Sequence, residues 1–275
     1  MPIFLEHLTN VRVTVEEGVA IVTINRPEAG NSISQGLDAD FGEVWPALRD
    51  SPDVEVVVVT GAGDRFFCTG ADVNEWAETG QMPMSHTTGG HGFRLLANDQ
   101  AFFKPLICAV NGLCAGGGLH FVNDADIVIA SSTAAFTDPH VSVGQVSAHE
   151  PIALSRRIPL GEVMRMTLMG VHTRMSADRA YQIGLVSEVV EPDQLLERAV
   201  EIAKSIQRNS PTAVSKSKRA VLEGLERGLD DALWWGFGIV RSNWDHPDCS
   251  EGPRAYLERR QPVWQALGET GTRGK

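Results

Sequence analysis

A near-continuous apolar run, Val54 to Thr60, admits few folds. Uninterrupted β-branched residues suit a strand that is covered on both faces, as in parallel sheets flanked by helices. Shorter apolar runs predict four more strands, at 19–27, 105–112, 125–131 and 184–190. Helical patterns lie between them, at 36–49, after Gly117 and at 179–183. Strands that alternate with helices in this way predict an α/β fold with largely parallel sheets.

The pattern becomes helical after Pro192. Apolar residues recur at helical spacing in 193–209 and 210–228, and the tail 254–267 has the same character. Asp193 and Ser210 are predicted N-caps, with Pro211 at the first helical position. Turn formers predict a loop at 77–92. We therefore predict an α/β core at 1–195 and a helical region at 196–275.

Composition restricts the classes of partner. The 275 residues carry a net charge of −11, which argues against nucleic acid as the main ligand. The four cysteines show no metal-ligand or disulfide spacing, which is typical of thiols in a reducing compartment. The sequence has neither a signal-peptide pattern at its start nor an apolar run long enough for a membrane span. The expectation is a cytoplasmic protein that binds neither nucleic acid nor membranes.

Two loops of small residues follow two of these strands, at 66–72 (FFCTGAD) and 113–121 (LCAGGGLHF). Small residues let a ligand approach the backbone closely. If Gly117 begins a helix, its free N–H group favours a negative oxygen there, and a second N–H from 70–71 would complete an oxyanion hole. Two tight turns without a ligand are the alternative interpretation. The G-x-G-x-x-G dinucleotide pattern is absent.

Six motifs, in this order and spacing, resemble the enoyl-CoA hydratase/isomerase (crotonase) superfamily over about 19–262. They are RPEAGNSIS, VVVVTGAGDRFFCTGADVNEW, KPLICAVNGLCAGGGLHF, ADIVIASSTAAFTDP, SADRAYQIGLVSEVV and EGPRAYLERRQP. The resemblance implies a spiral of ββα units followed by a helical trimerisation region, assembled as trimers or dimers of trimers. Trp234, Trp235 and Trp244 are assigned to the contacts between subunits.

The resemblance also implies the ligand, a coenzyme A thioester that is the substrate, and no permanently bound cofactor. The carbonyl oxygen of the thioester would lie between the N–H groups of Ala71 and Gly117. The other positions that match substrate-binding residues of the family belong to the adenine-binding segment and the two loops: Glu28, Ala29, Ser32, Thr69, Asp72, Val73 and Gly116.

The sequence departs from the family at the two positions where its hydratases carry glutamates. His120 and His140 stand there instead. An imidazole with a pKa near 6.5 can accept and donate a proton at neutral pH, so both are candidate acid/base residues. The alternative is that each is a packing residue with satisfied hydrogen bonds.

Three further residues lie near this pair in the sequence. His149 or Glu150 is predicted to orient an imidazole or to hold a water molecule, although a surface loop is the other interpretation. Asp138 is a candidate for fixing the tautomer of a histidine, although Asp-Pro is also an ordinary turn. The spacing of these residues matches no recognised ligand pattern, so no metal is predicted.

The leading hypothesis is an acyl-CoA thioester enzyme of the hydratase/isomerase type, with histidines in place of glutamates and an enolate held in a backbone oxyanion hole. One alternative is a hydrolase that cleaves a carbon–carbon bond in a β-diketone or β-ketoacyl substrate. The other is an acyl-CoA-binding protein without catalysis. The sequence leaves the acyl chain and the exact reaction undetermined: hydration, a double-bond shift, decarboxylation and thioester hydrolysis all stay open.

Overall fold

The computed structural model describes residues 5–83 and 94–267. The strands in these residues are β1 (Val11–Glu16), β2 (Val19–Ile24), β3 (Val56–Gly61), β4 (Phe66–Cys68), β5 (Leu106–Val110), β6 (Leu113–Ala115), β7 (Ile127–Ser131), β8 (Ala135–Thr137), β9 (Met175–Ser176) and β10 (Glu188–Val190). The α-helices are α1 (Gln35–Asp50), α2 (Val73–Thr79), α3 (Leu119–Asp124), α4 (His149–Leu154), α5 (Leu160–Met169), α6 (Ala177–Gln182), α7 (Leu195–Gln207), α8 (Pro211–Gly224), α9 (Leu229–Arg241) and α10 (Asp248–Glu258).

The strands form two sheets. The larger has the order β1-β2-β3-β5-β7-β10, and the smaller has the order β4-β6-β8-β9. Every neighbouring pair is parallel except β1–β2 and β8–β9. The units β3-β4-α2 and β5-β6-α3 each contribute one strand to each sheet and then a helix. The predicted α/β spiral of ββα units is therefore confirmed.

The packing of β3 explains the valine run. All six of its residues are buried. Val57 and Val59 belong to the core on one face of the sheet, which includes Trp45 of α1. Val56 and Val58 belong to the core on the other face, which includes Ala199 of α7. A strand with helices on both faces needs apolar residues at consecutive positions rather than alternate ones.

The structure corrects several predicted boundaries. Asp193 is not the N-cap of α7, because Pro192–Gln194 forms a 3₁₀ turn and Gln194 caps the helix. Ser210 does cap α8, where its hydroxyl accepts a hydrogen bond from the Ala213 N–H, and Pro211 is the first helical residue as predicted. The tail is helical only to Glu258, since Arg259 adopts a left-handed conformation that ends α10.

The predicted loop at 77–92 begins later than expected, because α2 continues to Thr79. Residues 84–92 of that prediction lie outside the described residues. The domain boundary at 195 stays a prediction.

Candidate active site

The two loops of small residues lie side by side. Strands β4 and β6 pair in parallel, so the loops that follow them leave the same edge of the smaller sheet. Gly70 has a φ of +86°, and a Cβ atom there would lie 3.0 Å from the Gly117 nitrogen. A side chain at Gly70 would force the loops apart, so glycine permits this approach.

Two backbone N–H groups of these loops are available to a ligand. Ile33 pairs with the chain on either side of Ala71: its N–H donates to the Gly70 carbonyl, and its carbonyl accepts from the Asp72 N–H, both at 2.8 Å. The Ala71 N–H therefore points away from Ile33. Gly117 lies in the 3₁₀ turn Gly116–Gly118, and an N–H at the start of such a turn has no acceptor within it. Two donors on facing loops can bind one oxygen atom.

Both histidines contact one carboxylate, that of Glu150. His120 lies on α3 and Glu150 on α4, and both are almost fully buried. His120 Nε2 is 3.1 Å from Glu150 Oε1, and His140 Nε2 is 3.7 Å from the same oxygen. Burial alone would raise the pKa of Glu150, but the hydrogen bond from His120 and the charges of the two imidazoles lower it below its ordinary value.

The other ring nitrogen of His140 contacts Asp138. His140 Nδ1 lies 2.5 Å from Asp138 Oδ1, and the Ser147 hydroxyl donates to Asp138 Oδ2. The hydrogen bond to Asp138 raises the pKa of His140, burial opposes this, and the Glu150 charge adds to it. Asp138 is 1% exposed, and its pKa is lowered because hydrogen bonds from His140 and Ser147 outweigh burial. Both ring nitrogens of His140 thus face carboxylates.

The cluster of His120, Asp138, His140 and Glu150 lies beside the glycine loop. A Cβ atom on Gly116 would lie 3.5 Å from His140 Cε1. The centre of the His149 ring lies 6.4 Å from that of the His120 ring. His149 is on α4, the same helix as Glu150. The structure therefore brings together the predicted residues Gly116, His120, His140, His149 and Glu150. Among the described residues, no cluster of His, Cys, Asp and Glu is arranged to hold a metal ion.

Two of the predicted substrate-binding side chains, those of Asp72 and Ser32, form hydrogen bonds within the chain. Asp72 caps α2, accepting hydrogen bonds from the N–H groups of Asn74 and Glu75. It also accepts from Ser32 Oγ at 3.1 Å and from Arg26 Nη2 at 2.9 Å. Burial would raise the pKa of Asp72, and these hydrogen bonds lower it.

The remaining predicted positions surround this network. The Thr69 hydroxyl donates to the Gly30 carbonyl at 3.1 Å. Glu28 and Ala29 lie in the 3₁₀ turn Pro27–Ala29, where Glu28 is exposed. Val73 is 60% exposed at the start of α2.

Two contributors were missed by sequence reasoning. Arg26 is the first residue of the RPEAGNS motif and forms an ion pair with the buried Asp72. Ser147 had no signal of its own, since a serine nine residues after Asp138 follows no known pattern.

The comparisons with known proteins identify the family of the chain. A sequence model described as enoyl-CoA hydratase/isomerase matches residues 14–267. The chain belongs to the enoyl-CoA hydratase/isomerase family. Among the described residues, none of the helices combines the length and apolarity that crossing a membrane requires.

Several members of the enoyl-CoA hydratase/isomerase family are similar over nearly their whole length. The (E)-benzylidenesuccinyl-CoA hydratase of Thauera aromatica is 36% identical, covering 96% of this chain and 99% of that protein. The short-chain-enoyl-CoA hydratase of Clostridium acetobutylicum is 36% identical, covering 92% and 97%. The crystal structure of an enoyl-CoA hydratase/isomerase from Mycobacterium paratuberculosis has a TM-score of 0.85 at 38% identity, covering 94% of this chain and 100% of that one.

Proposed function

We propose that this protein catalyses the reversible addition of water to the double bond of a 2-enoyl-CoA thioester. One observation carries the proposal: the Glu150 carboxylate lies between the imidazoles of His120 and His140, beside the loop that bears the Gly117 N–H. The substrate is a coenzyme A thioester by analogy with relatives that are named as hydratases of such thioesters.

The proposed oxyanion hole consists of the N–H groups of Ala71 and Gly117. When the thioester carbonyl oxygen lies between them, both donors stabilise the negative charge that develops on that oxygen as an enolate forms. The close approach of the two loops at Gly70 supports this role. The same hydrogen bonds polarise the carbonyl group and so make C3 of the acyl group susceptible to attack, and the enolate that this attack forms is basic at C2.

The proposed acid/base cycle uses the cluster around Glu150. The water oxygen bonds to C3 while its proton passes to the Glu150 carboxylate, which His120 holds through Nε2. The His140 imidazolium, whose pKa is raised by Asp138, gives its Nε2 proton to C2. A proton transfer from Glu150 to His140 Nε2, across 3.7 Å, then restores both groups. The sum of these steps is the addition of one water molecule.

Coenzyme A binding would use Glu28, Ala29, Val73 and Gly116 of the predicted set. Glu28 and Ala29 form the turn proposed to lie against the adenine end, and Val73 and Gly116 are proposed to line the channel. Ser32, Thr69 and Asp72 support the site by fixing these segments through their hydrogen bonds. We further propose that the active unit is a homo-oligomer.

The test is product analysis with matched variants. The wild-type protein is incubated with crotonyl-CoA and with longer enoyl-CoA thioesters, and the products are identified by mass spectrometry. We expect a water adduct. The variant Glu150→Gln should lower kcat by about 10²–10³-fold with little change in substrate affinity, because it removes the base. The exposed Glu197→Gln on α7 is the matched control and should behave as wild type.

Other outcomes would replace the proposal. Cleavage of the acyl chain of a β-ketoacyl-CoA, with no water adduct from enoyl-CoA thioesters, would support the carbon–carbon hydrolase. The contact between Asp138 and His140 Nδ1 favours that alternative, because a histidine oriented by a carboxylate can act as the base that activates water. Tight binding of thioesters with no product from any of them would support a binding protein without catalysis.

A further inference from the structure

Helix α3 carries two parts of the candidate site on one short element. It has six residues, and His120 is the second of them. The 3₁₀ turn that contains Gly117 runs directly into this helix, because the Leu119 N–H donates to the carbonyls of Gly116 and Gly117. A displacement of α3 therefore moves the His120 ring and the Gly117 N–H together.

A helix as short as α3 does not fix its own position. Such helices are marginal without tertiary contacts, and the three glycines before it, Gly116–Gly118, allow a wide range of backbone conformations. Leu119, Phe121 and Val122 are buried in the core. Apolar packing is not directional, so it fixes the depth of a helix better than its position along its own axis. Hydrogen bonds at the end of α3 supply that position.

The C-terminal end of α3 is bound by one arginine, Arg157. Its Nη1 atom donates to three main-chain carbonyls, at 3.0 Å to Val122, 2.8 Å to Asn123 and 2.7 Å to Ala125. The last carbonyls of an α-helix have no partner within the helix, and a cation is favourable at that end. Arg157 therefore satisfies these acceptors and fixes the end of the helix.

Arg157 is itself attached to α4, the helix that carries Glu150. Its N–H donates at 2.8 Å to the carbonyl of Leu154, the last residue of α4. Leu154 is buried in the core, so the turn that bears Arg157 is anchored there. The guanidinium group thus links the C-terminal end of α3 to that of α4.

A second hydrogen bond joins the two helices closer to the site. Asn123 Nδ2 donates to the Glu150 main-chain carbonyl at 3.2 Å. On the same pair of helices, His120 Nε2 lies 3.1 Å from Glu150 Oε1. The contact between these two acid/base side chains is therefore accompanied by the hydrogen bonds of Asn123 and Arg157 further along α3.

We propose that Arg157, assisted by Asn123, is a positioning residue for the site. It holds α3 against α4, so that His120 stays within hydrogen-bond distance of Glu150 and the Gly117 N–H stays in place. Its guanidinium group binds main-chain carbonyls, so it acts through the geometry of the two helices. Its expected effect on the rate rests on the proposed function, because that effect needs Glu150 to be catalytic.

The neighbouring arginine, Arg156, is a matched control. It has the same charge and side chain but is exposed, and its Nη1 lies 3.4 Å from the Leu225 carbonyl at the C-terminal end of α8. A substitution of Arg156 therefore removes an equal charge from the same turn without releasing α3.

The first readout is the rate of crotonyl-CoA hydration. Arg157→Met removes the donors but keeps most of the length of the side chain. We expect kcat to fall about 100-fold with KM changed by less than about threefold, because a small displacement of catalytic groups costs rate rather than binding. Arg157→Lys keeps a cation with three donors and should be only about tenfold slower than wild type. Arg156→Met should behave as wild type.

The second readout does not depend on turnover. In protein labelled at histidine, the nitrogen NMR signal of the His120 ring is assigned by its loss in His120→Asn. Glu150→Gln gives the reference signal for a ring that no longer contacts this carboxylate. The His120 signal of Arg157→Met should move toward that reference, and the signal of Arg156→Met should not. A substitution that only lowered stability would leave the signal of the folded protein unchanged.

Three results would overturn the proposal. They are an unchanged kcat in Arg157→Met, equal losses in Arg157→Met and Arg157→Lys, and an unchanged His120 signal in Arg157→Met. Should Arg157→Met fail to fold, Asn123→Ala and Arg157→Lys decide the question. Asn123→Ala removes the second hydrogen bond and should lower kcat about tenfold, with the His120 signal moving in the same direction. If neither variant changes kcat or the signal, Arg157 does not position the site.

Failure of the proposed function would be a different result. A wild-type protein that adds no water to enoyl-CoA thioesters would contradict that function. The NMR comparison would then still show whether Arg157 holds His120 against Glu150, because it needs no substrate.

Discussion

The pKa of His140 decides whether this residue can act as an acid near neutral pH. Its hydrogen bond to Asp138 is the main cause that raises this pKa. A histidine with a raised pKa stays protonated to higher pH, so activity that needs the imidazolium is lost only as pH rises through that pKa. The structure therefore predicts an alkaline limb in the pH–rate profile that depends on Asp138.

The variant Asp138→Asn should move this alkaline limb to lower pH. The neutral amide removes the negative charge but keeps the size of the side chain, so kcat/KM should fall about tenfold at pH 8 and less at pH 6. The measurement is the pH–rate profile of hydration, with the His140 titration followed by NMR. Glu197→Gln serves as the control. An alkaline limb that stays in place would mean that His140 is not the acid.

Individual residues also show where sequence reasoning ends. His120 and His140 could be located from the family motifs, because they follow a glycine triplet and a Pro turn at fixed positions. The motifs also predict that His149 or Glu150 orients an imidazole. They do not predict that one Glu150 carboxylate contacts both rings, since His120 and Glu150 are 30 positions apart and meet through the packing of α3 on α4. The hydrogen bond from Ser147 to Asp138 could not be predicted either, because the loop that brings the two residues together has no recognisable sequence pattern.

Among the elements, α3 depends on one close approach to strand β4. A Cβ atom on Gly118 would lie 2.3 Å from the Cys68 carbonyl oxygen. Neither backbone can move without separating the two loops of the candidate site, so an added methyl group there is destabilising.

The variant Gly118→Ala should lower the free energy of unfolding by about 2 kcal/mol or more. Gly161→Ala is the matched control, because Gly161 lies in α5 with nothing within 4 Å of the added atom. The control should be neutral or more stable by up to about 1 kcal/mol, since alanine favours a helix. Urea unfolding of both variants measures the difference, and equal stability would contradict the packing argument.

Asp124, the last residue of α3, links the stability of this helix to pH. Its carboxylate accepts hydrogen bonds from the N–H groups of Ala97 and Asn98, and burial raises its pKa from 3.8 to about 6. Between these two values the folded state binds more protons than the unfolded state. The contribution of Asp124 is therefore present below about pH 4 and is lost as pH rises to about 6, by on the order of 3 kcal/mol.

Asp124→Asn should remove this contribution. The free energy of unfolding of the variant, relative to wild type, should be higher at pH 7 than at pH 4 by on the order of 2–3 kcal/mol. Urea unfolding at the two pH values is the measurement, at one protein concentration. Asp193→Asn, an exposed carboxyl, is the control and should show no such change. A constant difference between Asp124→Asn and wild type would show that the carboxyl titrates normally.

The elements that could be predicted are those with a long pattern. Strands β2, β3, β5, β7 and β10 and helices α1, α7 and α8 follow from apolar runs or helical periodicity. Strands β4, β6 and β8 have three residues each, and a period of two cannot be recognised over such a length. These short strands form the smaller sheet, which positions the two loops of the candidate site. The part of the fold nearest to the site could therefore not be predicted from the local sequence.

On the scale of the whole molecule, the C-terminal helices expose an apolar surface. Leu229, Leu233 and Phe237 of α9 lie at intervals of four residues and are 75%, 64% and 45% exposed. Trp234, beside them, is 75% exposed. A stripe of large apolar side chains on one face of a helix is typical of a surface that binds another protein. Such a surface is stabilised when a partner covers it and removes these side chains from water.

We predict that this partner is another copy of the chain and that the assembly contains three copies or a multiple of three. Native mass spectrometry of the wild-type protein should show that mass. Trp234→Glu should convert the assembly to smaller species, because a charge without a partner would be buried between subunits. Since Trp234 is 75% exposed in its own chain, the thermal stability of the separated chain should change little. Leu196→Glu, at an exposed position on α7, should leave the mass unchanged. A wild-type protein that is monomeric at micromolar concentration would contradict this prediction, and the α9 surface would then require a different partner.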